Sequence, residues 1–178
     1  MRTWPLLGLL GCLLGTISAN AAEPGPEKGT VHFRPAADQA NIPERYRLGE
    51  HDFEYALTLH RQLRNSGVTV YRLQFPSAVT TPCQENNTVH AEYYLPQGKG
   101  PFPGVIVLDI TAGDQTVSRT IATHLARHGI AGLFVQMAYY GPRRPPGSEL
   151  RLLSLDYRHT VAAIRQTVLD VRRAAAWL

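Results

Sequence analysis

The sequence predicts an α/β fold, and three observations carry that expectation. Phe53, Tyr55, Leu57 and Leu59 alternate with Glu54, Ala56, Thr58 and His60, the period of two that marks a half-buried strand. Val105 to Leu108 is a continuous apolar run, as in a parallel strand covered on both faces. Between that run and a second apolar strand in "IAGLFVQMAYY", Val117, Ile121 and Leu125 share one helical stripe. Strand, helix, strand is a βαβ unit, which implies a parallel sheet and a right-handed crossover.

The chain divides into three parts. Residues 1–21 read as a signal peptide: Arg2 opens a basic region, Trp4 to Ile17 is apolar apart from small residues, and Ala19-Asn20-Ala21 is a cleavage pattern. The apolar stretch is shorter than the about 20 residues a bilayer needs. The expected location is secreted or periplasmic, with a mature start near Ala22. The alternative is a lipoprotein anchored through Cys12, because Leu9-Leu10-Gly11-Cys12 resembles a lipobox. Residues 22–50, rich in Pro, Gly and charge, read as a flexible mature terminus. Residues 51–178 form the domain.

Within the domain, "NSG" at 65–67 supplies turn chemistry and "VTVYRLQF" follows as a strand. The two strands make an antiparallel hairpin. "TTPCQENN" leads to a third strand, "TVHAEYYLP", and the Gly/Pro-dense "QGKGPFPG" feeds Val105. Asp114 or Ser118 can cap the first helix, and Gly129 ends it in the left-handed position. The last helix carries Val161, Ile164, Val168, Val171, Ala175 and Leu178 as an apolar seam, with Asp170, Arg172 and Arg173 turned elsewhere. No stop signal closes that seam, so the expectation is the amino-terminal part of a longer protein.

The net charge of +4 and a pI near 9.3 invite a nucleic-acid reading. The basic residues are too dispersed for it: Arg143 and Arg144 lie in a proline-rich loop, and Arg151, Arg158, Arg165 and Arg172 recur as a solvated helix flank does. Cys83 alone remains after signal cleavage, so no internal disulfide is expected and the thiol is packed or partly exposed. Asn86-Asn87-Thr88 is a glycosylation sequon. His124 and His128 share a helix face, but the Glu of a zinc-protease motif is missing and His128 suits a cationic last turn. "TAGDQT" lacks both a G-x-G-x-x-G and a phosphate-loop lysine. Neither a metal nor a cofactor is expected.

The hairpin region, the "PxGxGPFPxV" approach to an apolar strand, the small-residue loop, the helix ending in "ARHGIA" and the strand leading to "YYGPRRP" together resemble the α/β-hydrolase fold over residues 67–178. The likeness is to secreted members related to dienelactone hydrolases, acetyl xylan esterases and prolyl oligopeptidase catalytic domains. It implies amino-terminal antiparallel strands followed by parallel βαβ units. It also implies acyl transfer by a serine, a histidine and an acid, assisted by backbone amides that receive the oxyanion.

The elbow serine of that chemistry needs small neighbours, as in G-x-S-x-G. Ser66, Ser77, Ser118, Ser148 and Ser154 all lack the flanking glycines. "DVRRAAAWL" resembles the helix that precedes the elbow strand, so the resemblance places the whole triad beyond Leu178, with no catalytic residue in this chain. What the chain holds is the loop "LDITAGD". Matched by position, Asp109 stands where the family has a histidine, Ile110 and Thr111 are the oxyanion-amide candidates, and Ala112-Gly113 replace a glycine pair. An acid near a developing negative charge opposes it unless turned away, so Asp109 has either a structural role, bonding loop amides or an arginine, or a direct one.

Tyr139, Tyr140 and Gly141 close the second parallel strand at its carboxyl end, where ligands of open α/β sheets bind. The tyrosines either line the substrate pocket beside Asp109 or pack under the proline loop. The expected function is an exported serine hydrolase acting on a carboxylic or carbohydrate ester. A prolyl oligopeptidase-like peptidase, for which residues before 50 leave no room for the usual propeller, and a non-catalytic binding protein on the same fold are the alternatives. The expected partner is a small-molecule ester or glycan ester, without nucleic acid and without stable membrane insertion.

Overall fold

The computed structural model describes residues 26–35, 39–110 and 115–178. The segment read as a signal peptide, with Cys12, and Thr111, Ala112, Gly113 and Asp114 of the loop lie outside the described residues. One mixed sheet of six strands organises the rest: β1 (Glu27–Phe33), β2 (His51–Leu63), β3 (Val68–Pro76), β4 (Thr88–Leu95), β5 (Gly104–Leu108) and β6 (Ala131–Val135), in the order β1-β2-β3-β4-β6-β5. The hairpin is β2–β3, closed at Gly67 with φ 66°, and β4 adds antiparallel to β3. β4 pairs antiparallel with β6, and β5 pairs parallel with β6.

β1 is the element the composition hid. Its seven residues pair with β2 from Glu27↔Leu57 to Phe33↔His51, within the segment expected to be flexible. Val31 and Phe33 reach the core cluster, and that burial offsets the cost of ordering a Gly- and charge-bearing terminus.

Helices α1 (Thr116–Arg127) and α2 (Tyr157–Trp177) cover opposite faces of the sheet. On the α1 face, Val70, Tyr94, Val107 and Phe134 pack with Ala122 and Ala126. On the α2 face, Leu73, Phe75, Val89, Leu133 and Val135 pack with Ala174. Adjacent strand positions such as Leu133 and Phe134 serve different faces, as the pleat dictates. Gly132 lets α1 approach closely: a Cβ there would lie 3.1 Å from the Ala122 Cα and carbonyl oxygen.

Three expectations about burial are corrected. β5 is an edge strand, and Val105 and Leu108 are 40% and 41% exposed, because β6 flanks it on one side and no described strand on the other. In α1 the buried residues are Ser118, Ala122 and Ala126, while Val117 and Ile121 are 50% and 47% exposed. In α2 the buried residues include Gln166, Thr167, Asp170 and Ala174, while Val161 and Ile164 of the apolar seam are exposed. Both helices thus meet the sheet largely with small or polar residues, joined by Leu125 on α1 and by Leu169 and Trp177 on α2, and leave Val117, Ile121, Val161 and Ile164 exposed.

The helix ends follow capping chemistry more closely. Gly129 has φ 79° after α1, as expected. Asp156 caps α2 by accepting from the Arg158 amide at 2.9 Å. Gln115, left-handed at φ 70°, precedes α1. Ser118 does not cap that helix: it lies in the first turn and donates to the Leu108 carbonyl at 3.1 Å, stitching helix to strand.

Candidate functional site

The carboxyl ends of β5 and β6 gather three of the sequence-derived site residues. Asp109 follows β5 directly and is 7% exposed. Its Oδ1 lies 3.4 Å from the Ser118 hydroxyl, and its Oδ2 has no hydrogen-bond partner among the described residues. Burial pushes the carboxyl above its usual range, against the opposing pull of Ser118, Gln115, the Arg119 charge and the Ile110 amide. The expected arginine partner is taken elsewhere. Arg119 grips Glu92 with Nε at 3.0 Å and Nη2 at 2.8 Å from the same Oε1.

Ile110 is 51% exposed, and its amide helps to hold the Asp109 charge. Thr111, the other oxyanion candidate, lies outside the described residues. Tyr140 stands close enough to Asp109 for the acid's charge to help burial raise the phenol pKa. Tyr139 goes elsewhere: its ring lies 4.7 Å from that of His159, and its amide donates to the Asn86 side chain at 3.1 Å. With φ 62° it is a left-handed non-glycine residue, a conformation that costs of order 1–3 kcal/mol and persists where surroundings impose it.

Those surroundings are a buried polar network that sequence reasoning missed. Arg143 and Asp170, both 0% exposed, form an ion pair at 2.7 Å. Arg143 also donates to the carbonyls of Gln136 (3.1 Å) and Asn86 (3.0 Å). Asp170 accepts from the Ser77 hydroxyl and the Ala78 amide. Asn86 donates to Gln166 at 2.8 Å, which makes the sequon asparagine a buried structural residue. The network welds the turn after β6 to α2 and to the β3–β4 connection, and so fixes where Tyr139 and Tyr140 stand. Arg143 in a Pro/Gly loop and Asp170 amid apolar helix residues were its visible signals.

A cleft of about 360 Å³ opens beside this site on the α1 face, with Arg72, Gln74, His90, Glu92, Arg119 and Gln136 among its walls. Glu92 is drawn upward by burial, but hydrogen bonds from Arg119 and Tyr94 outweigh it and the net pKa falls. His90 is pushed down by burial and by the Arg143 charge. This wall was legible only as an anomaly: His90 and Glu92 stand on the same strand face as the buried Tyr94.

Other candidates resolve simply. Cys83 is a free, partly exposed thiol against the cluster that holds Tyr139. His128 turns its Nδ1 to the His124 carbonyl, 2.8 Å away. Among the described residues no group of three or more His, Cys, Asp or Glu could hold a metal ion, and no helix is long and apolar enough to cross a membrane.

No protein-family model and no curated protein matches the chain. Its class is defined by the mixed sheet itself: antiparallel strands continued by one parallel βαβ unit, with helices on both faces.

Proposed function

We propose that the chain supplies the amino-terminal strands and the oxyanion side of an exported serine hydrolase of the α/β-hydrolase type, acting on a carboxylic or carbohydrate ester. The observation that carries this reading is the free edge of β5, with exposed apolar residues on both helices that contact this strand, Val117 and Ile121 on α1 and Val161 and Ile164 on α2. A further parallel strand bearing the nucleophile elbow fits that edge, and it would bring the serine to the sheet end where the loop after Leu108 lies. The covering helices of such a strand account for Val117, Ile121, Val161 and Ile164 being apolar.

Asp109 favours a second reading, a non-catalytic binding protein on the same fold, because a desolvated carboxyl at the oxyanion loop opposes anion stabilisation. Fluorophosphonate labelling separates the two. The 178-residue chain stays unlabelled, and the product of the gene read through Leu178 labels at a serine flanked by glycines. A gene product that binds ester ligands yet never labels removes the hydrolase reading.

A further inference from the structure

The cleft beside β4 holds two groups whose hydrogen-bonding capacity is unused. Gln136 is 5% exposed, and its Oε1 is buried without a partner among the described residues. Such an atom costs roughly 1–3 kcal/mol unless something satisfies it. At the other side, Arg72 extends from β3 directly across the ladder from Glu92. Both Glu92 oxygens are already engaged, Oε1 by Arg119 and Oε2 by Tyr94 at 2.6 Å. Arg72 forms no ion pair among the described residues.

The remaining walls mix polar side chains with apolar surface, Pro142 among it. Gln74 and His90 touch through Nε2 and Nδ1 at 3.1 Å, and the Arg119–Glu92 pair forms another side. With Arg119 paired to Glu92, Arg72 leaves the lining side chains net positive, and Arg61, close enough to act on Glu92, adds to that charge. Charged and amide groups interrupt the apolar part of the wall, so an apolar acyl chain finds only part of the cleft to bury against. A molecule with several hydroxyls finds donors and acceptors, and a hydroxyl satisfies an amide in either orientation. A carboxylate meets a free guanidinium whose fork matches it. The volume lies at the lower end of small-molecule sites.

We infer that this cleft is a binding site for a small polyhydroxylated carboxylate, with Arg72 holding the carboxylate and the Gln136 amide a hydroxyl. The site stands apart from acyl transfer and needs nothing beyond the 178 residues.

The test is titration of the ¹⁵N-labelled chain with D-gluconate, sorbitol and acetate in parallel. Sorbitol keeps the hydroxyls without the carboxylate, and acetate keeps the carboxylate without the hydroxyls. Gluconate should give saturable shifts at the amides around Gln74, His90 and Gln136, with sorbitol and acetate each at least about tenfold weaker. Arg72→Gln, an exposed strand position, should keep the spectrum dispersed and weaken gluconate by about tenfold. Arg72→Lys should recover part of the loss. Absence of saturable binding, equal binding of gluconate and acetate, or an unchanged affinity in Arg72→Gln would each overturn the assignment. Because fluorophosphonate labelling reads the serine chemistry, the two proposals fail separately.

Discussion

Asp109 sits in a place that a carboxylate does not choose for stability. Burial raises its pKa above that of the unfolded chain, so the fold prefers the protonated acid. For such a group the contribution to stability is fully present below the unfolded value, near 4, and is lost as pH rises through the folded value. At pH 7 the ionised side chain therefore opposes folding. Asp109→Asn, which keeps the shape without the charge, should stabilise the chain at pH 7 by about 0.5–2 kcal/mol, the range common for single stabilising substitutions. Urea denaturation at pH 7 and at pH 5 reads the gain, which should shrink at the lower pH. Equal or lower stability of the variant at pH 7 would mean that the loop already satisfies the charge.

At the scale of elements, the buried ion pair and the helix–sheet contact make separate claims. Asp170→Ala leaves Arg143 charged at 0% exposure and removes acceptors from Ser77 and Ala78. It should cost about 3–5 kcal/mol, whereas replacing both partners by apolar residues of similar volume should recover most of that loss. Denaturation midpoints of the single and double variants decide it, and a double variant as unstable as the single would locate the cost in Ser77 and Ala78 instead. Gly132→Val places a branched side chain where even a Cβ meets Ala122 backbone atoms at 3.1 Å. It should cost about 1–3 kcal/mol through overpacking, seen as a lower melting temperature. An unshifted melting temperature would mean that α1 slides without penalty.

Elements whose pattern is local were legible in the sequence. The alternation at 53–59 found β2, "NSG" found its turn, and Gly129 found the end of α1, because each signal depends on near neighbours. β1 was not legible: its pairing partners run from Leu57 opposite Glu27 to His51 opposite Phe33, well outside any local window, and its Gly and charged residues match a loop composition. The helix stripes were half legible. Periodicity says which residues share a face, but it cannot say which face meets the sheet. Val117 and Ile121 share one stripe, as do Val161 and Ile164, yet Ala122, Ala126, Gln166, Leu169 and Asp170 are the residues buried. The polar site was least legible, since Arg143, Asn86, Gln166 and Asp170 meet only after the sheet has formed. Of the site residues read from sequence, Asp109 and Tyr140 do come together, whereas Tyr139 belongs to the packing beneath.

At the scale of the whole molecule, exposed apolar residues lie on β5 and on the two helices that contact it. α1 and α2 both contact β5, the strand with an open edge. Val105 and Leu108 on that strand, Val117 and Ile121 on α1, and Val161 and Ile164 on α2 are all large, apolar and exposed. An open strand edge offers unpaired amides and carbonyls to any other strand, and apolar surface beyond a few hundred Å² marks an interaction site. The chain by itself should therefore self-associate as its concentration rises. Val105→Lys puts a charge on the edge and Ile121→Glu puts one on the adjoining helix, and neither side chain is buried. Light scattering coupled to size exclusion should show association in the unmodified chain and a monomer in the double variant, with unchanged circular dichroism. A chain that stays monomeric at every concentration would show that edge already satisfied, and the argument for a further strand on β5 would fall with it.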